Sequence, residues 1–91
     1  MSYSVETTPR ADEELGVLPE PIRHIVIRRF MDFARNPSIG GSISAPSLYT
    51  PGQLFEMNLT YDQMTCWVGV VFRYAQDEQT LVIERVYAEF A

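Results

Sequence analysis

Two arginines and a tryptophan in the second half of the chain are the residues best suited to act on a ligand. The run from Cys66 to Tyr74 is nearly all apolar, which predicts a central β-strand. Alternation along such a strand places Trp67, Gly69 and Arg73 on one face of the sheet. Together with Arg85 from the following strand, they could stack on and clamp a base or a peptide.

A plainer interpretation of these residues stays open. Arg73 could pair with Glu84 or Glu56 across the sheet as ordinary surface charge. Gly69 could mark close packing or a bulge. A glycine weakens a central strand, and it is often found there because another group packs closely against the backbone.

Other site chemistry finds little support in the chain. His24 is the single histidine and Cys66 the single cysteine, so zinc sites, histidine-based triads and intrachain disulfides lack partners. The run from Asp12 to Glu14 fits the negative charge favoured at a helix start. The sequence therefore predicts no metal site and no cofactor.

Charge is distributed unevenly along the chain. The 91 residues contain seven arginines, no lysine and twelve acidic residues, which give a net charge of −5. Residues 21–36 carry four arginines against one acid, whereas the segments before and after are acidic. This balance disfavours broad electrostatic attraction to nucleic acid but leaves one cationic segment. No apolar run is long enough for a signal peptide or a membrane span, which predicts a cytoplasmic protein.

The first third of the chain predicts a strand and two helices. Tyr3 and Val5 alternate with polar residues, as in a strand with one buried face. Thr8 and Pro9 then predict the capped start of a first helix. A second helix follows the break at Pro19 and ends near Asn36, before a proline.

The second helix is apolar over more than half of its circumference. Ile27 and Met31 belong to an apolar stripe beside the one that we expect to face the sheet. The first helix could cover part of this stripe. We predict that Ile27 and Met31, where they stay uncovered, bind a partner protein or a second copy of this chain.

Residues 36–53 are rich in Ser, Gly and Pro and are predicted to form a long connection without regular structure. Three strands are predicted after it, over residues 55–61, 66–74 and 80–87. The order predicts one α+β domain over residues 1–91, β-α-α-β-β-β, with both helices on one face of a small, mostly antiparallel sheet.

This order resembles the RelE/ParE superfamily of bacterial type II toxin–antitoxin systems, which includes plasmid stabilisation proteins. Four segments carry the resemblance: the opening residues 3–11, the interhelix turn at residues 18–19 followed by residues 22–23, the end of the second helix at residues 33–37, and residues 70–74 with the turn at residues 77–78. The resemblance implies a toxin held by a cognate antitoxin, with the ribosome and its mRNA, or gyrase, as the target.

The same resemblance implies that the catalytic cations of RelE-type mRNA cleavers are missing here. Those enzymes place two lysines on the second strand and an arginine on the third. The matching positions in this sequence are Glu56, Asn58 and Gly69. A carboxylate beside the scissile phosphate would repel the group that the site must attract.

Three functional hypotheses follow. The first is a RelE/ParE-like protein that acts by binding and is controlled by an antitoxin. The second is a divergent ribosome-dependent endoribonuclease that uses Arg73, Arg85 and either Tyr87 or Tyr61. The third is a homodimeric module without toxin activity, joined through the apolar stripe at Met31.

Overall fold

The computed structural model describes residues 3–36, 42–44 and 52–90, and it places two helices on one face of a five-stranded sheet. The elements in chain order are β1 (Ser4–Thr7), α1 (Pro9–Gly16), α2 (Glu20–Arg35), β2 (Ser42–Ser44), β3 (Gln53–Tyr61), β4 (Met64–Tyr74) and β5 (Thr80–Phe90). This arrangement confirms the α+β class and the predicted order of one strand, two helices and then antiparallel strands.

The sheet has the strand order β1-β5-β4-β3-β2. β1 runs parallel to β5, and the other neighbouring strands are antiparallel. A register shift between Val71 and Phe72 leaves one extra residue in β5, because Val71 lies opposite Arg85 and Phe72 lies opposite Ile83. This bulge places Glu84 and Arg85 side by side in β5, just beyond the residues that β1 covers.

One prediction for the long connection was wrong. Residues 42–44 form the strand β2, which pairs with residues 54–56 of β3. The sequence Ser-Ile-Ser has too little apolar pattern to reveal a strand, and its backbone bonds to the edge of β3 are what define it. Residues 37–41 and 45–51 of the connection lie outside the described residues.

The start of α1 follows from its capping residues. The Thr8 hydroxyl accepts a hydrogen bond from the Ala11 amide at 3.1 Å, and Pro9 occupies the first turn. Ala11 and Leu15 are buried on the face of α1 that packs toward the sheet. α1 therefore lies across β5, beyond the short strand β1.

Four phenylalanines fix α2 on the sheet. Phe30 and Phe33 of α2 contact Phe55 of β3 with ring-centroid distances of 5.7 and 4.8 Å. They contact Phe72 of β4 at 5.4 and 5.6 Å. All four side chains are at most 1% exposed, so this cluster (the phenylalanine cluster) forms the centre of the core.

No helix in the described part of the chain is long and apolar enough to cross a membrane.

Truncation within the phenylalanine cluster is expected to destabilise the fold strongly. Phe33→Ala removes a ring that packs against both β3 and β4, and such changes cost about 3–5 kcal/mol of unfolding free energy. That is a large share of the roughly 5–15 kcal/mol that stabilises a small domain. Urea unfolding followed by circular dichroism measures the change.

The matched control is Val17→Ala, because Val17 is 82% exposed. It should change the unfolding free energy by less than about 0.5 kcal/mol. Equal unfolding midpoints for the two variants would contradict the central role of the cluster.

Candidate functional site

The sheet face turned away from both helices, called here the outer face, brings most of the predicted site residues together. On this face Glu56 lies opposite Gly69, and Asn58 lies opposite Trp67. On the other side of β4, Gly69 lies opposite Tyr87. The positions that would hold the cations of an RNA-cleaving site are therefore neighbours in the centre of the sheet.

Trp67 lies flat along its own strand. A Cβ atom added at Gly69 would lie 2.6 Å from Cη2 of the Trp67 indole, so the absence of a side chain at Gly69 makes room for the ring. The indole Nε1–H donates to Glu56 Oε1 at 3.3 Å. One face of the indole thus packs on the strand, and its polar edge is held by a carboxylate.

Arg73 forms an ion pair with Glu84, as the plainer interpretation of the sequence predicted. The Arg73 side chain is 51% exposed, and the pair sits at the surface of the outer face. An exposed pair of this kind contributes little to stability, but it neutralises the cation.

Arg85 is held by Glu14 of α1. Arg85 Nε donates to both Glu14 oxygens at 3.1 Å, and Nη2 donates to Oε2 at 2.8 Å. Glu14 Oε1 also accepts the Val86 amide at 2.9 Å. The Arg85 guanidinium carbon lies 4.7 Å from the centre of the Tyr87 ring, within cation–π range.

The Glu14 carboxyl group responds to these contacts. Partial burial raises its pKa, but the hydrogen bonds from Arg85 and Val86 and the charges of Arg85 and Arg10 outweigh burial and hold the pKa below its ordinary value of 4.5. Glu14 is therefore ionised at neutral pH and joins α1 to the edge of β5. From the sequence, Glu14 was interpreted as an acidic residue at the start of a helix. Its contact with Arg85, which is 71 positions away in the chain, was not predicted.

The candidate tyrosines are placed differently from one another. Tyr87 lies beside Arg85, close to the centre of the outer face. Tyr61 pairs with Met64 at the far end of the β3–β4 hairpin. It is separated from Arg73 by about nine strand residues, or roughly 30 Å. Tyr61 and Arg73 therefore cannot act on the same bond.

The remaining chemical groups give no second site in the described residues. No group of three His, Cys, Asp or Glu residues in that part of the chain could hold a metal ion. Cys66 is buried, and burial raises the pKa of its thiol, so it suits a core position better than a nucleophile. His24 is exposed, and its Nε2 lies 3.9 Å from Glu20.

A groove between the two helices provides a second candidate surface, called here the helix groove. Its volume is about 250 Å³. Its walls include Asp12 and Leu15 from α1 and Ile27 and Met31 from α2, and buried residues of the sheet form its floor. Ile27 and Met31 are 42% and 41% exposed, so the predicted apolar stripe borders a concave surface.

Removing the charge of Glu14 is expected to weaken the fold in a pH-dependent way. Glu14→Gln should lower the unfolding free energy by about 1–2 kcal/mol near pH 7, because hydrogen bonds to a charged group are lost. A depressed carboxyl pKa stabilises the fold above the unfolded-state pKa, and that stabilisation is lost as pH falls through the folded-state pKa. The difference between the two proteins should therefore shrink near pH 3.

Urea unfolding at both pH values measures this difference. Glu13→Gln is the matched control, since Glu13 is its exposed neighbour on the same helix. A Glu14→Gln effect that is the same at both pH values would show that the carboxylate charge is not the cause.

Comparison with known proteins gives likeness in structure but not in sequence. No family model matches the chain, and no curated protein is significantly similar to it. Among solved structures, the RelBE2 toxin–antitoxin complex of Mycobacterium tuberculosis matches with a TM-score of 0.67 and 24% identity, over 98% of this chain and 93% of that chain.

Two Escherichia coli structures are also similar. The intact RelBE toxin–antitoxin complex matches with a TM-score of 0.62 and 15% identity, over 93% of this chain and 94% of that chain. A double arginine-to-alanine mutant of the toxin RelE in the free state matches with a TM-score of 0.64 and 15% identity, over 94% and 82%. The chain therefore has a RelE-like fold, in a sequence only 15–24% identical to these three structures.

Proposed function

We propose that this protein is a RelE-like toxin that acts by binding a macromolecular target rather than by cutting RNA, and that a cognate antitoxin controls it. The fold supports the toxin part of this proposal. On the outer face both arginines are paired with carboxylates of the same chain. This pairing supports binding without cleavage, and it is the observation that carries the proposal.

The outer face has little to offer an RNA-cleaving reaction. Such a reaction needs a group that takes the ribose proton and cations that stabilise negative charge on the phosphate. Here Arg73 pairs with Glu84 and Arg85 pairs with Glu14. Glu56 adds a carboxylate in the centre of the face, which repels phosphate at short range.

An antitoxin partner is supported by a different surface. Two of the similar solved structures are toxin–antitoxin complexes. The helix groove of this chain leaves Ile27 and Met31 partly exposed above an apolar floor. Grooves of this kind accept the apolar face of an amphipathic helix, and we propose that the antitoxin covers this one in the cytoplasm.

A divergent endoribonuclease is the second candidate function. It is favoured by one observation, the packing of the Arg85 guanidinium over the Tyr87 ring, which keeps a cation and a phenol side by side. In this mechanism Arg85 would have to leave Glu14 to reach a phosphate, which makes it the less favoured proposal.

Growth of a bacterial host tests the proposal. Induced expression should arrest growth, and co-expression of the neighbouring gene should relieve the arrest. The rates of DNA and protein synthesis during arrest then separate a gyrase-type target from a ribosome-type target.

A second experiment tests RNA cleavage directly. The mRNA incubated with purified protein and translating ribosomes should stay intact, both with the natural chain and with Arg73→Ala. Shortened mRNA with the natural chain, and intact mRNA with Arg73→Ala, would instead establish the endoribonuclease. No arrest at all would contradict a toxin.

A charge placed at the helix groove should block the antitoxin. Met31→Glu buries a carboxylate in the apolar contact and is expected to weaken binding by at least about tenfold, measured by calorimetry, and to prevent relief of the arrest. Val17→Glu is the matched control, because Val17 is exposed outside the residues that line the groove.

Size measurement by light scattering completes the Met31 experiment. If the free protein is a dimer that Met31→Glu converts to a monomer, the groove joins two copies of this chain, and the antitoxin assignment of this surface fails.

A further inference from the structure

The centre of the outer face holds the single tryptophan of the chain between two carboxylates. Trp67 lies in β4, and its indole Nε1–H donates to Glu56 of β3 at 3.3 Å. On the other side of β4, Glu89 of β5 lies directly opposite Trp67. Such opposite residues have Cβ atoms about 4.5–5.5 Å apart, so their side chains are neighbours on one face. The aromatic ring is therefore flanked by negative charge from both adjacent strands.

The orientation of the indole turns one of its ring faces outward. A Cβ atom added at Gly69 would lie 2.6 Å from Cη2 and 2.9 Å from Cζ2 of the Trp67 ring. The ring therefore lies along β4, with one π face on the strand and the other directed away from the sheet. In the described part of the chain both helices pack on the opposite face of the sheet, and Trp67 is only partly buried. The outward π face can thus receive a ligand.

The charge of the outer face favours cations over phosphate groups. The chain has no lysine, and five of its seven arginines belong to α1 and α2. The two arginines of the sheet are each paired with a carboxylate. Glu56 and Glu89 add negative charge beyond these pairs. A cationic group that approaches Trp67 is therefore attracted, whereas a phosphate group is repelled.

An arginine side chain matches this arrangement better than a lysine side chain. The guanidinium group is planar and weakly hydrated, so it can stack on an indole while its N–H groups donate to carboxylates beside the ring. The lysine ammonium is a strongly hydrated point charge that gains less from a flat ring. Sites for small molecules are concave, whereas Trp67 lies on an open sheet surface. The surface is therefore suited to a side chain that a protein segment presents.

We propose that the outer face binds an arginine-bearing segment of the target protein, with one guanidinium stacked on Trp67 between Glu56 and Glu89. The proposal rests on the function proposed above and adds the chemistry of the target, which is a basic protein segment and not RNA. Gly69 has a role in this site, because its missing side chain allows the indole to lie flat on the strand.

Titration with synthetic probes tests the selectivity of the outer face. The probes are short peptides of serine alternating with arginine, lysine or glutamate, and a short uridine RNA. Because the chain has one tryptophan, the indole Nε1–H signal in a proton–nitrogen NMR spectrum reports on this site alone. The arginine peptide should shift that signal and bind about threefold or more tightly than the lysine peptide at low salt. The glutamate peptide and the RNA should leave the signal in place.

Three results of the titration would overturn the proposal. The first is no shift of the indole signal with the arginine peptide. The second is equal affinity for the arginine and lysine peptides. The third is a shift with the uridine RNA that exceeds the shift with the arginine peptide, which would assign the outer face to nucleic acid.

Two variants that each remove one negative charge provide the matched comparison. Glu89→Gln should weaken binding of the arginine peptide by roughly twofold to fivefold, because an exposed contact between opposite charges is lost. Asp62→Asn removes the same charge from the turn between β3 and β4, roughly 13 Å along β3 from the residue opposite Trp67, and should have a smaller effect. Both residues are exposed, and asparagine tolerates the φ of 49° at Asp62. Equal effects of the two variants would overturn the proposal.

Replacement of the ring tests the stacking itself. Trp67→Leu keeps an apolar side chain but removes the π face, so the preference for the arginine peptide over the lysine peptide should fall below about twofold. The amide signal of Gly69 follows binding in this variant, and circular dichroism establishes that the variant is folded. A preference that survives unchanged would show that the ring does not select arginine.

Growth arrest separates this inference from the proposed function. Glu89→Arg should relieve the arrest that the natural chain causes, whereas Glu13→Arg, an exposed change on α1, should not. Arrest by both variants would overturn the inference and leave the proposed function intact. Absence of arrest with the natural chain, together with selective binding of the arginine peptide, would leave the arginine site on a protein that is not a toxin.

Discussion

The position of α2 on the sheet is the constraint on which the rest of the structure depends, and the phenylalanine cluster sets it. Phe30 and Phe33 interlock with one ring from β3 and one from β4, so α2 can neither slide nor rotate without opening the core. With 3.6 residues in each turn, the same rotation places Ile27 and Met31 about a quarter of a turn away from the sheet. The exposed apolar stripe is therefore a geometric consequence of how the core is packed.

The two faces of the sheet lead to different surfaces. On the outer face, Arg73 and Arg85 are matched by carboxylates from the same chain. In the helix groove, the apolar side chains of Ile27 and Met31 stay partly exposed above an apolar floor. Internal pairing lowers the attraction of the outer face for phosphate, while the groove keeps partly exposed apolar area. This contrast supports the proposal that the protein acts by recognition and not by bond cleavage.

Local patterns in the sequence predicted much of the fold. The cap at Thr8, the apolar stripes of α2 and the alternation along β3 and β4 each follow from residues close together in the chain, and each is present in the structure. β2 was not predicted because it has only three residues, and its strand conformation depends on pairing with β3. The grouping of Trp67 with Arg73 on one face was predicted from alternation along β4. The contact between Glu14 and Arg85 was not predicted, because the position of Glu14 at the start of a helix already explained its negative charge.

The carboxylate of Glu14 also has a consequence for how the sheet ends. β1 covers β5 only along residues 80–83, and the next part of that edge would otherwise present free amides. Glu14 occupies the Val86 amide and brings a charged pair to the same edge. An unprotected strand edge is a template on which other chains can add and aggregate. The Glu14 side chain thus satisfies one amide of this edge and adds charge there, and both effects oppose the addition of a further strand at this point.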